Sequence, residues 1–466
     1  MTISDLKTQS VGIIGFGHEG QAFAQYLTAH NVRPVIYDHT PLANWTASQT
    51  QLLTQLGLTA ITGEEYLKQA LQTAYVIVRS PGVKFSKEQK TTIEKRGIIL
   101  SSQTKWFFEH CPAKIIGITG TKGKGTTASL LAEMLQQSYR SGAIYLTGNI
   151  GKTAPVTFLD KLTKQDLVVF ELSSFQLQDL EQSPNMAICL MVTSDHLDYH
   201  ADETEYHAAK QAIAKYQTQD DILIYNADYP ATKQIASLGL AQKFAISKSA
   251  LKQLGAQIKS DSEQILVRLP NSELEISTQA RQLLGSHNLE NIAAASLAAA
   301  LLGVNRSDIQ ISIQSFTGLP HRLQVVGEFE GVTVINDSIS TNPDTAIAAI
   351  NAIQQPLILL LGGGNKGLNY QNLIETLMND SHLKAVILIG ETGQLLQSLL
   401  KKAGFSGHVI PPSSEFSVAV EQAVKLAVAG DTILLSPAAT SFDMFANYAE
   451  RGDKFIELIK SAYGKK

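Results

Sequence analysis

One pattern recurs along the chain. Short runs of β-branched and other apolar residues are each followed by a glycine-containing turn and then by a stretch with helical periodicity. The runs occupy 11–15, 35–38, 76–79, 115–120, 167–171, 187–193, 222–226, 332–336, 357–362, 386–390 and 432–436. They are near-continuous rather than alternating, so both faces of each strand must be covered. That argues for parallel sheets sandwiched between helices, an α/β architecture. The stretch 248–279 differs. There QIKSDSEQILVRL and SELEIS alternate and are separated by polar turns, which predicts antiparallel strands. The alanine-rich stretch 292–302 predicts a buried helix. No internal repeat or low-complexity segment interrupts the pattern.

The chain has 466 residues. One core rarely grows past about 250–300 residues, and at about 150 residues per domain the length suggests three. CPAK, at 111–114, precedes a fresh strand, and TGLPHR, at 317–322, precedes another. The expected domains are therefore 1–110, 111–316 and 317–466. Hydrophobic residues at 44% and charged ones at 17% speak against long disorder. A net charge of -4 and a pI of about 6.3 argue against an electrostatic nucleic-acid binder. Cys111 and Cys189 are too few for a disulfide framework, so a reducing compartment fits. No run reaches the roughly 18 apolar residues of a membrane helix. The N-terminus, MTISDLKTQSVGIIGFG, lacks a basic region followed by an apolar one, so no signal peptide is expected. A soluble cytoplasmic enzyme follows, with no membrane or nucleic-acid partner.

Candidate chemistry falls at the carboxyl ends of the strands, where open α/β sheets bind ligands. Gly15-Phe16-Gly17-His18-Glu19-Gly20 joins a strand to a helix, and Asp38 ends the next strand, 18 residues beyond Gly20. Glycines there let a backbone approach a diphosphate, and the acid can bind a sugar or base. Read alone, this suggests a nicotinamide dinucleotide. The plainer alternative is a tight turn with Asp38 as a helix cap. A second loop spans 117–127 and reads GITGTKGKGTT. Stacked amides there would cradle phosphates, Lys124 would neutralise their charge, and the Thr126 hydroxyl would hold Mg²⁺. Two positions depart from the usual phosphate loop: Ile118 replaces its first glycine, and Gly125 follows the lysine.

Glu171 ends an apolar strand within ELSSFQL and is placed to be a metal ligand, or else to cap the next helix. Thr193-Ser-Asp195-His196-Leu-Asp198-Tyr-His200 contains an H-x₃-H spacing. Zinc is the weaker reading, because no cysteine is near and a phosphate loop favours Mg²⁺; His196 as a Mg²⁺ ligand is sharper. His200 and His207 read as solvated helix residues, and Lys210 as an ordinary helix lysine. Asn291 in HNLEN, Arg322 in PHR and Asp337 in NDSISTN are suited to a nucleoside and its phosphates, or to turns and caps. LGGGNK, with Lys366, and SPAATSFDMF, with Ser441, form glycine- and serine-rich turns suited to an anion.

Two phosphate-type loops in separate domains and an anion site in a third imply two nucleotides and a small acid. GFGHEG, RSPG, GITGTKGKGTT, TGNIG, ELSSFQL, TSDHLDYH, HNLEN, GLPHR, NDSISTN, LGGGNK and LSPAATSFDMFANYAERGDKF occur in that order over essentially the whole chain. In these motifs the chain resembles the Mur ligase family. The resemblance implies three domains: a Rossmann-like N-terminal domain, a central P-loop ATPase-type mononucleotide-binding domain and a C-terminal Rossmann-like domain. It implies an ATP- and Mg²⁺-dependent ligase, expected as a monomer. Its small-molecule substrates would be ATP, glutamate and UDP-N-acetylmuramoyl-L-alanine, and D-glutamate would be added in peptidoglycan synthesis. The γ-phosphoryl group would pass to the alanine carboxylate, and the glutamate amine would attack the acyl phosphate.

The resemblance also implies residue roles. Gly15, Phe16, Gly17, His18, Asp38, Thr40, Ser80, Pro81, Gly82 and Asn149 would bind the UDP substrate. Gly120, Thr121, Lys122, Gly123, Lys124, Gly125, Thr126, Thr127, Asn291, Arg322 and Asp337 would bind ATP. Thr126, Glu171, His196 and Lys210, the last as a carbamate, would hold metal, and Lys124, Glu171, His196 and Lys210 would serve catalysis. Thr341, Lys366 and Ser441 would grip glutamate, with Tyr448 closing the site. Lys122 stands where the family usually has asparagine, and Gly125 where it has serine or threonine. Ile339 stands where the D-glutamate-adding members usually have lysine, which leaves L-glutamate open as the substrate. An NAD-dependent oxidoreductase remains as the reading from another class, with the second phosphate loop then left without a role.

Overall fold

The structure, a computed structural model, describes residues 1–150, 153–193 and 202–464. Three sheets form. The first contains β1 (Val11–Ile14), β2 (Val35–Asp38), β3 (Ala60–Thr62), β4 (Val76–Arg79) and β5 (Ile99–Ser102), in the order β3-β2-β1-β4-β5. All its pairings are parallel. The second contains β6 (Lys114–Thr119), β7 (Ile144–Gly148), β8 (Leu167–Glu171), β9 (Met186–Cys189), β10 (Ile222–Asn226), β11 (Gln242–Ser247), β12 (Gly255–Lys259), β13 (Gln264–Leu269) and β14 (Ser272–Ser277). Its order is β14-β13-β12-β11-β10-β9-β6-β8-β7. The third contains β15 (Gln324–Phe329), β16 (Val332–Asn336), β17 (Leu357–Gly362), β18 (Leu383–Ile389), β19 (His408–Ser413) and β20 (Thr432–Leu435), in the order β15-β16-β20-β17-β18-β19.

The expected parallel pairing holds across most of each sheet, with two exceptions. β15 pairs antiparallel with β16, because a short turn at Glu330-Gly331 leaves no room for a crossover. Within 248–279, β12 pairs antiparallel with β13 as expected for that stretch, but parallel with β11. The strand expected over 187–193 stops at Cys189. Beyond the apolar runs, the structure adds β3, β5, β7, β11, β15 and β19. Five of these six are sheet edges, the exception being β11. Edge strands are covered less completely and so lack a continuous apolar run.

Register explains the runs. In β17, Leu357, Leu359 and Leu361 enter one apolar cluster, while Ile358 and Leu360 enter another on the opposite face. β18 divides its side chains likewise, Val386 and Leu388 against Ala385, Ile387 and Ile389. Helices Pro343–Ile350, Gln371–Asn379 and Gly390–Lys402 supply the first cluster, and Phe416–Leu426 and Tyr448–Tyr463 the second. Each such buried side chain stabilises the fold by about 1.5–3 kcal/mol relative to exposure. The stretch expected as a buried helix, 292–302, is helical as far as Leu301, and every residue from Ile292 to Ala300 is buried, while the last two are half-buried.

The chain divides into two compact units, Met1–Ile276 with Glu290–Ile309, and Ser277–Leu289 with Gln310–Lys466. The first unit therefore holds two sheets, and the expected cut near 110 falls between them. Helix Gln103–His110 joins these sheets through an aromatic block. Trp106 meets Phe23 edge-on at 5.9 Å, while Phe107 meets Phe158 and Phe170 at 5.8 and 5.6 Å. Beside it, the buried Arg79 guanidinium pairs with Asp179 at 2.6 Å. Removing one partner of a buried pair strands the other charge, so Arg79→Ala is expected to lose about 3 kcal/mol or more of stability. Urea unfolding measures this; a loss below about 1 kcal/mol would mean that the pair behaves as a solvated one.

Candidate functional site

The loop between β6 and helix Lys124–Ser138 is the centre of the first unit's polar residues. Gly120, Thr121, Lys122, Gly123, Lys124, Gly125, Thr126 and Thr127 run through it into the first helical turn. Gly123 caps the helix with a φ of 86°. A Cβ there would lie 2.2 Å from Asn291 Oδ1, so the loop and Asn291 meet only because residue 123 is glycine. Thr127 Oγ1 donates to the same Asn291 oxygen at 3.3 Å. Lys124 Nζ folds back and donates to the carbonyls of Gly120 and Thr121, both at 3.0 Å. Lys210, on helix Glu203–Lys210, is buried and donates to Thr119 Oγ1 at 3.3 Å and to the Gly120 carbonyl at 3.1 Å. Two ammonium groups thus share one carbonyl oxygen. A pair of cations held so close suits an anionic ligand. Sequence spacing alone gave Lys210 no such place.

Glu171 is buried at the end of β8, in register with Ile118 and Gly148. The Asn149 N–H donates to its carbonyl at 3.2 Å, which brings the exposed Asn149 beside it. Thr126 is buried in the first turn after Lys124. His196, and with it His200, lies outside the described residues. His207, expected in solvent, is half-buried and its Nε2 is shielded. Among the described residues no three His, Cys, Asp or Glu side chains converge. Glu290, the neighbour of Asn291, carries a role the motifs did not reveal. It is buried, pairs with Lys248 at 2.5 Å and accepts from Asn226 at 2.8 Å, which anchors the start of Asn291's helix to the end of β10.

The glycine turn after β1 packs tightly. A Cβ on Gly20 would lie 2.0 Å from the Gly15 carbonyl. Gly17 and His18 are exposed at the helix start. Phe16 is buried and stacks on Trp45 at 4.9 Å. Its N–H donates to Asp38 Oδ2 at 2.7 Å, and its carbonyl accepts from Gln21 and Gln49. Thr40 N–H takes the other Asp38 oxygen at 2.8 Å. Asp38 therefore braces the tight turn but caps no helix, and the Phe16 side chain faces the core. Ser80, Pro81 and Gly82 follow β4 on the same side, with Ser80 Oγ at 3.4 Å from the Gly15 carbonyl. Glu19 accepts from Gln176 of ELSSFQL at 3.2 Å, and burial raises its carboxyl above the usual range.

The second unit holds the remaining residues. Asp337 follows β16, Lys366 lies in the turn after β17, and Ser441 in the segment after β20. Ser441 is buried, Thr341 half-buried, and Lys366, Arg322 and Tyr448 are exposed. Asp337 is buried and accepts from Ser340 Oγ, Ser436 Oγ and the Leu323 N–H. Arg451 was not expected from the motifs; it donates to backbone carbonyls on both sides of this group.

Comparison with known proteins fixes the family. Mur ligase models match in sequence order: the MurD-like N-terminal domain over 9–101, the middle domain over 118–299 and the glutamate ligase domain over 321–439. The chain belongs to the Mur ligase family. UDP-N-acetylmuramoylalanine--D-glutamate ligase of Desulfitobacterium hafniense is 35% identical over 464 residues, which is 98% of this chain and 99% of the relative. The protein of the same name from a Thermoanaerobacter species is 32% identical over 456 residues, with the same coverage. Among solved structures, UDP-N-acetylmuramate-alanine ligase from Thermotoga maritima superposes with a TM-score of 0.58 at 16% identity, covering 97% of this chain and all of that one. MurF ligase from the same organism, solved with ADP, gives 0.55 at 18% identity over 86% of this chain and 92% of that one. The α/β fold is thus that of a three-domain Mur ligase.

One residue of this Mur ligase site makes a pH prediction. Burial pushes the Asp337 carboxyl up to about 6, opposed by its two serine hydroxyls. The unfolded chain loses this proton near 3.8. Folding stability from Asp337 is therefore full below that pH and falls as pH rises through about 6. At neutral pH the buried carboxylate is a net cost. Asp337→Asn is expected to be the more stable protein at about pH 7.5, by on the order of 1–3 kcal/mol, with the gap closing near about pH 4. Thermal melts at both pH values measure it; a constant gap would mean that Asp337 is not responsible.

Proposed function

We propose that this chain is an ATP-dependent ligase that joins D-glutamate to UDP-N-acetylmuramoyl-L-alanine, releasing ADP and phosphate. It would act in the cytoplasm as a monomer, in the synthesis of peptidoglycan precursors. The observation that carries the reading is the unbroken match, over 98% of this chain and 99% of each relative, to ligases named for that activity. In this reading the first sheet belongs to a Rossmann-like domain for UDP, the second to a P-loop domain for ATP and the third to a Rossmann-like domain for the amino acid. The cuts lie near 110 and 317. The glycine turn then serves UDP, not a nicotinamide dinucleotide. The UDP diphosphate would meet Gly15, Gly17, His18 and the Ser80–Pro81–Gly82 turn, with Asp38 and Thr40 nearer the nucleoside and Asn149 nearer the alanine.

ATP would use the loop from Gly120 to Thr127, with Asn291 and Asp337 as nucleoside contacts and Arg322 as a phosphate contact. Lys124 Nζ, which rests on two neutral carbonyls, would exchange them for phosphate oxygens, a stronger charge-assisted pairing. The residues present fit a divalent cation. Glu171 offers a buried carboxylate and Thr126 a buried hydroxyl beside the phosphate loop, a ligand set Mg²⁺ completes with phosphate oxygens and water. His196 and Lys210, if carbamylated, would add to it. Mg²⁺, when bound, supplies charge neutralisation on the phosphoryl oxygens. Thr341, Lys366 and Ser441 would hold the glutamate carboxylates, with Tyr448 alongside. The alanine carboxylate would take the γ-phosphoryl group, and the glutamate amine would displace phosphate to form the amide.

Phosphate release and product mass, with UDP-N-acetylmuramoyl-L-alanine, Mg·ATP and each glutamate enantiomer, test the reading. Release with D-glutamate is expected, and none from Lys124→Ala. Turnover with L-glutamate alone would move the assignment to the L-specific reaction, for which Ile339 is the one sequence argument. No release with either enantiomer would refute the glutamate reading. Lys210→Ala should be impaired and partly restored by short added carboxylates; full activity without them would remove the carbamate.

A further inference from the structure

Arg451 lies on helix Tyr448–Tyr463 and is 2% exposed. Its Nε donates to Ser338 Oγ at 3.0 Å. Its Nη1 donates to the carbonyls of Ala439 and Thr440 at 3.2 and 2.9 Å. Its Nη2 donates to the carbonyls of Ser338 and Ala439 at 2.9 and 3.2 Å. All five N–H groups of the guanidinium are used, and every acceptor is neutral. Burial lowers Arg451 to about 10, opposed by the nearby Asp443 carboxylate, so it remains a cation at neutral pH. Burying a cation among neutral acceptors is expensive, and an apolar side chain would fill the space without that penalty.

The network reaches further than the guanidinium. The Thr440 carbonyl also accepts from the Gly364 N–H at 2.9 Å, and Thr440 Oγ1 donates to the Gly364 carbonyl at 3.0 Å. Ser338 Oγ donates onward to the Tyr448 carbonyl at 2.7 Å. The side chain thus bridges the turns after β16 and β20 directly, and through Thr440 and Ser338 the network extends to the turn after β17 and to the first residue of its own helix. Those segments carry Thr341, Lys366, Ser441 and Tyr448. Lysine could not replace it, having three donors and no planar fork to span Ser338, Ala439 and Thr440 at once.

We propose that Arg451 is the positioning residue of the amino-acid site. It fixes the spacing of Thr341, Lys366, Ser441 and Tyr448, and so sets the affinity for the incoming amino acid without touching it. The proposal rests on the reading above that these four residues bind glutamate.

The test varies glutamate, as the enantiomer turned over, at saturating ATP and UDP substrate, and reads phosphate release. Arg451→Lys is expected to raise the glutamate KM about tenfold or more while the ATP KM stays within about twofold. Ser338→Ala, which removes one acceptor and the tie to Tyr448, is expected to raise the same KM about threefold. It carries the test if Arg451→Lys does not fold. A merely structural Arg451 would lower the melting temperature and the active fraction, and hence kcat, with the glutamate KM unchanged; that result overturns the proposal. Lys366→Ala and Ser441→Ala separate the two failures. If they raise the glutamate KM and the Arg451 and Ser338 variants do not, the positioning role alone falls. If they too leave it unchanged, the four-residue site is wrong and the proposal falls with it.

Discussion

A strand buried on both faces has no side chain to spare for chemistry. That constraint organises the molecule. Leu357 to Leu361 all point into apolar clusters, odd positions to one face and even positions to the other. A charge on either face would be stranded away from water. Polar function is therefore pushed to the carboxyl-end turns, and Lys124, Glu171, Asp337, Lys366 and Ser441 all sit at or just beyond a strand end. There the backbone leaves the ladder, and its free N–H and C=O groups must find other partners.

The turns in question are rich in glycine and serine and would be loose by themselves. Buried charges brace them. The buried Glu290 beside Asn291 is held by the exposed Lys248, and the buried Arg79, next to Ser80, holds Asp179. Arg451 holds two turns of the second unit, those after β16 and β20. Each brace carries a desolvation penalty that a hydrophobe would not, so stability alone does not explain them. Geometry of the loops does. Asp337, held above its ordinary carboxyl range, and Lys210, buried beside the loop after β6, carry the same kind of desolvation penalty.

Much of this was legible in order along the chain. The apolar runs mark the strands that are covered on both faces, because double burial demands unbroken hydrophobicity. Edges such as β3 (AIT) and β19 (HVIPPS) escaped, since half-covered strands mix apolar and polar residues freely. The motif GITGTKGKGTT announced its loop because amide cradles need glycine locally. Asp38 was less legible. An acid at that spacing can hold a ribose or brace a turn, and only the bonds to Phe16 and Thr40 show that it braces one.

The sequence by itself determined the α/β class, the family and the identity of the loops, because periodicity and turn chemistry act over a few residues. Tertiary structure alone decided the long-range partners. Arg451 is a polar residue in a polar stretch of helix, and nothing near it in the chain indicates that its fork meets a carbonyl at Ser338. Lys210 looks like any helix lysine until folding brings it to the Gly120 carbonyl already taken by Lys124. Hydrogen-bond partners far apart in sequence leave no local pattern, since most of these acceptors are backbone carbonyls, which every residue possesses.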